Sequence, residues 1–395
     1  MRSTELALEP EGSRSIAREN FRLGLVVLFA IEFVRGAFLV SYLPLVGAGR
    51  LHFAATVVGL AVSIHYLADS AVKLLVGFAL ERMSARLALA LGAALTAAGI
   101  GLAAHAGSPG ELYAAMAATG VGTSPVWLVC VGLIDNKKRA EQMGTLYLIW
   151  MAGLGLGPVL INFVLDAAES LGFAILIGML AAGGFAALRM PAAAASAPPS
   201  GIRQQAAEAR ERIRRMGPLL AVTVLQTLAG SMLVPLLTPF TAVHFGWSHG
   251  MLSTVMVTGG ACAVGLLVPM GKAIDRFGGR RFLVGGSAVF AAALAAVPGI
   301  SRFWQAELAA VLLGVAYAAL LPAWNAELAR HLPEQACGTG WGLISTIEGA
   351  GVMAGPAAGG WLADRFRDTV PFFVCSLIFA AISVFFLLGR GRRSD

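Results

Sequence analysis

Charged residues are scarce in this 395-residue chain. Asp, Glu, Lys and Arg make up 13% of it, about half the share of an ordinary soluble domain, while 57% is hydrophobic. So little charge cannot cover the water-facing surface of a globular protein, and a soluble domain is excluded. Cysteine is scarce too. Cys130, Cys262, Cys337 and Cys375 stand singly in separate apolar stretches, with no pair at metal-ligand spacing. They read as small apolar fillers, so neither a disulfide framework nor a zinc site is expected. Gly-x-Ser-x-Gly, His-Glu-x-x-His and Gly-x-x-x-x-Gly-Lys-Ser/Thr are all missing. Hydrolysis and nucleotide use therefore have no visible site, an enzyme is not expected, and neither is a cofactor or metal.

What is abundant is apolar sequence in runs of membrane-crossing length. Twelve such runs lie at roughly 21–46, 54–79, 86–107, 111–134, 142–166, 170–190, 218–243, 250–273, 281–300, 303–328, 337–362 and 369–390. Several carry Gly or Pro in mid-span, which membrane helices tolerate. The expected class is an all-α membrane protein with twelve transmembrane helices. The first run contains two charges and has no small-residue cleavage site behind it, so it is expected to stay in place as a helix.

The basic residues are spread unevenly over the connections. Arg2, Arg14, Arg18, Arg22, Arg82, Arg86, Lys137, Lys138 and Arg139 fall on one side, as do Arg189, Arg203, Arg210, Arg212, Arg214 and Arg215. So do Lys272, Arg276, Arg280, Arg281, Arg330, Arg390, Arg392 and Arg393, whereas the other side holds only Arg50, Arg302, Arg365 and Arg367. The excess of positive charge predicts a multi-pass cell-membrane protein with both termini cytoplasmic. Its even spread over the loops of that one side favours contact with anionic lipid headgroups over nucleic acid.

The chain divides in the middle and repeats. Residues 191–217 hold a Pro/Ala/Ser stretch followed by Ile-Arg-Gln-Gln-Ala-Ala-Glu-Ala-Arg-Glu-Arg-Ile-Arg-Arg, read as a linker ending in a basic amphipathic helix. Gly77-x-x-x-Glu81-Arg82-x-Ser84-x-Arg86 matches Gly271-x-x-x-Asp275-Arg276-x-Gly278-x-Arg280 at an offset of 194. Pro125-x-Trp127 matches Pro322-x-Trp324 at 197, and Gly157-Pro158 matches Gly355-Pro356 at 198. The expected organisation is a tail (1–20), a six-helix bundle (21–190), the linker (191–217), a second six-helix bundle (218–390) and a tail (391–395). Such a six-plus-six duplication is the construction of major facilitator transporters.

Five ionisable groups sit inside the first two apolar runs. Glu32 and Arg35 share one helical face, as do His65, Asp69 and Lys73. A charge at bilayer depth costs about 2.5–3.5 kcal/mol even on lenient scales, so these groups are expected to face inward and to mark a pathway or proton relay. The alternative is that opposite charges merely neutralise each other and lock two helices together. In a proton relay Glu32 and Asp69 are the candidate carriers, switched by movement of Arg35 or Lys73, with His65 one turn away. The second half is mainly Ala, Leu, Val and Gly, relieved by Gln226, Asn325, Glu327 and Glu348. A polar half facing an apolar half suits an amphiphile, with Trp127 or Trp150 as an aromatic platform for a sugar. The same tryptophans could equally be interfacial anchors. His244 and His249 read as ordinary surface residues.

Gly271 to Arg281 resembles the signature cytoplasmic loop of the major facilitator superfamily, which implies gating roles for Asp275 and Arg276 and, in the divergent first copy, Glu81 and Arg82. A narrower resemblance lies in Glu32-Phe33-Val34-Arg35-Gly36, Ser63-Ile64-His65-Tyr66-Leu67-Ala68-Asp69 and Ser124-Pro125-Val126-Trp127. It continues in Gln142-Met143-Gly144 with Trp150, Leu321-Pro322-Ala323-Trp324-Asn325, and Trp341-Gly342 leading to Gly355-Pro356. These strings are similar to those of the lipoteichoic-acid anchor-glycolipid flippases. The resemblance implies a proton-coupled antiporter, acting as a monomer, that carries a diglucosyl-diacylglycerol from the inner to the outer leaflet. It implies Glu32, Arg35 and Asp69, with His65 and Lys73 alongside, as the coupling and headgroup network. Trp127, Trp150 and Asn325 are the further substrate contacts it suggests. A proton-coupled efflux transporter for drugs or metabolites shares the fold and the buried acids and stands as the alternative.

Overall fold

The computed structural model describes residues 11–80, 83–134, 139–191, 202–330 and 337–389, and they are almost entirely helical. Without water to bond, a crossing segment must satisfy its own backbone N–H and C=O groups, and a helix does so within one segment. Helix α1 comprises Glu11–Gly36, a π-helical stretch Ala37–Tyr42, and Leu43–Ala48. It is followed by α2 (Ala55–Leu80), α3 (Ala85–Ala104), α4 (Pro109–Gly132), α5 (Arg139–Leu165) and α6 (Glu169–Arg189). Helix α7 comprises Ile202–Met232, which breaks at Gly217 (φ 21°), and Leu237–Phe245. Then come α8 (His249–Phe277), α9 (Gly279–Ala296), α10 (Phe303–Ala329), α11 (Cys337–Arg365) and α12 (Val370–Leu388).

Ten of the described helices are long and apolar enough to cross a membrane, and α7, bent by 50° between Gly217–Met232 and Leu237–Phe245, makes an eleventh. Helix α11 has lower hydropathy because glycines and Glu348 dilute its apolar residues. It is nevertheless 29 residues long and packs between α7 and α2. The fold is two six-helix bundles. One apolar core gathers Leu28, Ile31, Leu89, Ile100, Met116, Ile161 and Leu176 from α1 to α6. The other gathers Leu220, Met232, Leu283, Leu320, Trp324, Ile344 and Phe379 from α7 to α12.

The duplication is visible as packing. Lipid tails are as apolar as leucine, so membrane helices associate by close van der Waals contact, which small residues permit. Gly153 and Gly157 of α5 lie against α1, where a Cβ at Gly157 would strike the Phe33 carbonyl. At an offset of 198, Gly351 and Gly355 of α11 lie against α7 in the same way, next to the Val224 and Leu228 carbonyls.

The halves meet along α2 with α11 and along α5 with α8. Hydrogen bonds joining them cluster toward the face opposite the chain termini. Thr238 Oγ1 donates to the Val40 carbonyl at 2.8 Å, and Ser253 Oγ donates to the Val159 carbonyl at 2.7 Å. The Ala357 N–H, next to Pro356 within α11, donates to Ser63 Oγ at 3.0 Å.

Gly157→Val is expected to overpack the α1–α5 contact by about 1–3 kcal/mol and to lower the melting temperature of the purified protein. Gly155→Val, two residues away where a Cβ meets nothing within 4 Å, is the control and is expected to melt near the wild-type temperature.

Candidate functional site

The charged residues of α1 and α2 are brought together in the interior of the first bundle. Glu32 is 4% exposed, His65 2% and Asp69 7%. Glu32 Oε2 lies 2.5 Å from Arg35 Nη2, one turn along α1. Asp69 Oδ2 accepts from Lys73 Nζ at 2.9 Å, one turn along α2. Each pair is neutral as a unit, which makes burial affordable only where the partner geometry is good. For the first pair it is incomplete. Glu32 Oε2 is taken up by the Arg35 guanidinium, but Arg35 Nε on that guanidinium is buried without a hydrogen-bond partner. A buried polar atom left in this state has unused binding capacity for a polar ligand.

Helix α4 holds the α2 residues in place. A Cβ at Gly120 would strike the His65 carbonyl and crowd the Asp69 amide, so the two backbones touch. Ser124 Oγ donates to the Asp69 carbonyl at 3.2 Å. Thr119 Oγ1 donates to the Met116 carbonyl at 2.8 Å and lies 2.9 Å from His65 Nδ1. With the hydroxyl proton already committed, Nδ1–H must be the donor to Thr119. His65 Nε2 is then the acceptor nitrogen of the neutral ring, buried and without a partner.

Beside the charges stands an aromatic group. Trp127 of α4 and Trp150 of α5 are 6.5 Å apart, and Tyr147 lies 5.3 Å from Trp127 and 6.5 Å from Trp150. Trp127 comes one turn after Ser124, and Trp150 one turn before Gly153, whose backbone abuts Glu32. Because α4 and α5 run in opposite directions, both steps lead toward the face that carries the termini. The rings therefore sit one turn from the charge cluster on that side. Tyr147 is 47% exposed, and the Glu348 carboxyl of α11 is near enough to act electrostatically on it and on Tyr317 of α10. Tyr147 thus lies on the side of the group nearer the other half, while Trp127 and Trp150 pack against the first half's own core. Tyr147 was missed in the sequence, although its place three residues before Trp150 puts both rings on one helical face.

Other expected residues are not gathered here. Asn325 is exposed and makes no hydrogen bond among the described residues. Trp324, the duplicate of Trp127, is buried in the second core against Phe386. Of the gating residues, Glu81 and Arg82 lie outside the described residues, while Asp275 and Arg276 are exposed and Arg276 stacks over Phe277. Arg280 of the same motif donates to the Phe386 and Leu387 carbonyls at 2.8 and 3.0 Å, capping the end of α12. His249 is no ordinary surface residue, since its backbone and ring both contact Asp166 of the other half.

Thr119→Val is expected to strand the His65 Nδ1–H and cost about 1–3 kcal/mol, whereas His65→Phe in the Thr119→Val background is expected to recover much of it. Thermal unfolding of the two single variants and the double variant gives this coupling directly.

Two relatives of one name, two solved folds and one family model bear on this arrangement. A proton-coupled antiporter flippase, LtaA, from Staphylococcus saprophyticus is 29% identical over 382 residues, covering 94% of each chain. The protein of the same name from Staphylococcus aureus is 27% identical over 383 residues, covering 93% of this chain and 94% of the relative. Among solved structures, the nucleoside transporter NupG superposes with a TM-score of 0.77 at 14% identity, over 93% of this chain and 98% of that one. A bacterial homologue of the human lysosomal transporter Spinster, in an inward-facing and unoccupied conformation, superposes with a TM-score of 0.67 at 14% identity, over 96% of both chains. Residues 24–225 and 219–395 each match the model of the Major Facilitator Superfamily, and the chain belongs to that family.

Proposed function

We propose that this protein is a proton-coupled antiporter that carries a glycolipid from the inner to the outer leaflet of the cell membrane. The observation that carries the reading is the adjacency of an under-satisfied buried charge cluster to the Trp127–Tyr147–Trp150 group, opposite a predominantly apolar second half. The names of the relatives support it.

A sugar headgroup offers hydroxyls and flat C–H faces. Hydroxyls can donate to His65 Nε2 and accept from Arg35 Nε, the buried atoms of the cluster that lack partners. The ring faces can rest on the aromatic side chains. The acyl chains then lie against α7 to α12, whose charge-poor surface has little to offer a polar ligand. Proton exchange acts on Asp69 and Glu32. Protonating Asp69 abolishes its pairing with Lys73 and frees that ammonium, and protonating Glu32 does the same for Arg35. Binding a proton and binding the headgroup thereby compete for the same groups, which is the requirement for antiport.

In this reading the face carrying the termini is cytoplasmic, as the distribution of basic residues supports. The joined face is then external, and the state described is closed to the outside. Anionic lipids would meet the basic loops, and the two bundles would rock about the joined helices.

Asp69→Asn and Glu32→Gln are each expected to abolish glycolipid flipping driven by a pH gradient in proteoliposomes while leaving expression intact. Wild-type flipping by both variants would make the acids structural. In the same assay diglucosyl-diacylglycerol is expected to compete and a cationic drug is not; the reverse result would favour the efflux reading. Cysteine-accessibility labelling checks the orientation, with a cysteine at position 205 expected to be inaccessible to an impermeant reagent from outside the cell.

A further inference from the structure

The rim where the halves meet carries two contacts that no sequence motif announces. Asp166, just past α5, receives the His249 N–H on Oδ1 at 2.7 Å and the Gly250 N–H on Oδ2 at 2.6 Å. Asp364, in the last turn of α11, receives the Ala55 N–H on Oδ1 at 3.1 Å and the Thr56 N–H on Oδ2 at 2.6 Å. Each carboxylate straddles the first two N–H groups of a helix in the opposite half, α8 in one case and α2 in the other. The acids are 198 positions apart and their partners 194, the same offsets that relate the two halves elsewhere in the chain. The two contacts are therefore copies of one another across the duplication.

Their chemistry is specific. A helix start presents unpaired N–H groups and the positive end of the helix dipole, both complementary to a carboxylate. At α8 the accounting is complete, because Ser248 Oγ accepts from Met251 and Asp166 takes the two preceding N–H groups. Gly250 is buried, and a Cβ there would come within 2.8 Å of Asp166 Oδ2, so the carboxylate occupies the room a side chain would need. Partial burial pushes the Asp166 carboxyl up, but the bonds from Gly250 and His249 outweigh it and hold the group below its ordinary value, so it stays ionised. Deeper in the seam each contact is backed by a serine, though not an equivalent one: Ser253, one turn into α8, donates to the Val159 carbonyl, and Ser63, two turns into α2, accepts from the Ala357 N–H.

We propose that Asp166 and Asp364 form a duplicated latch that holds the two halves closed at this face, and that each transport cycle requires both carboxylates to let go of the opposing helix starts. When the halves part, four backbone N–H groups and two carboxylates pass to water. That exchange is affordable because both acids lie at the exposed rim. The latch thus favours the closed state without locking it, and two copies make the bias the product of two modest ones. The transport requirement rests on the function proposed above, whereas the latch itself can be measured without any substrate.

The experiment uses the full-length protein in nanodiscs with spin labels at Leu171 on α6 and Trp304 on α10, exposed positions at this face on opposite halves. Electron–electron distance measurements are expected to show a short population in the wild type. Asp166→Ala and Asp364→Ala are each expected to shift the ratio of closed to open molecules by about fivefold, the usual effect of removing a helix-start cap, and the double variant by about 25-fold. Monodisperse elution and an unchanged helical circular-dichroism signal separate this outcome from misfolding. An unchanged distance distribution in the folded double variant would overturn the latch. As a second measurement, a disulfide between Asp364→Cys and Ala55→Cys is expected to stop flipping, with reduction restoring it. Undiminished transport by the cross-linked protein would overturn the requirement for opening, while a shifted distance distribution with no glycolipid transport by the wild type would leave the latch standing and sink only the substrate reading.

Discussion

Ionised groups in hydrocarbon have no solvent to stabilise them, so they must find their counter-charge within the protein, and the first bundle is arranged around that demand. Glu32 with Arg35, and Asp69 with Lys73, meet it in the shortest way available, each acid and base one helical turn apart on the same helix. Local pairing keeps the net charge of each helix low and leaves the position of the cluster to the neighbouring helices. Gly153 and Gly157 let α5 press on α1 at Glu32, and Gly120 lets α4 press on α2 between His65 and Asp69. Close backbone contact is what holds the charges at one depth. The pairing is short of complete: Arg35 and His65 each keep one buried polar atom without a partner. A cluster saturated by its own members would stabilise the fold and bind nothing.

The duplication separates scaffold from site. Features that make the helices pack recur in both halves, as with the glycine pairs at 153/157 and 351/355, and so do the contacts at the joined face. Features that make chemistry do not. Trp127 belongs to a three-ring group, while its duplicate Trp324 is core. The first half holds the paired charges, and the second contributes Glu348 beside Tyr147 and Tyr317. An asymmetric ligand, polar at one end and apolar at the other, needs such divergence on a symmetric frame. A symmetric ligand would not.

Much of this was legible in the linear chain. Scarcity of charge, the apolar runs and the constant offsets determined an all-helical membrane protein of two like halves, because hydrophobic length and repetition are properties of the chain itself. The charged stripes on α1 and α2 followed from helical spacing alone. Residues whose role depends on another helix were not legible. Arg280 was read only as a basic residue of the loop motif, yet it reaches the carbonyls at the end of α12; His249 was read as surface but meets Asp166. Asp166 and Asp364, polar residues at helix ends, carry no signal until the helix starts they cap are known. The tautomer of His65 likewise depends on where the Thr119 proton goes, which only the placement of Met116 decides. Helix periodicity says which residues share a face, but hydrogen bonds act over about 3 Å, and which faces come that close is settled by the packing of one helix on another.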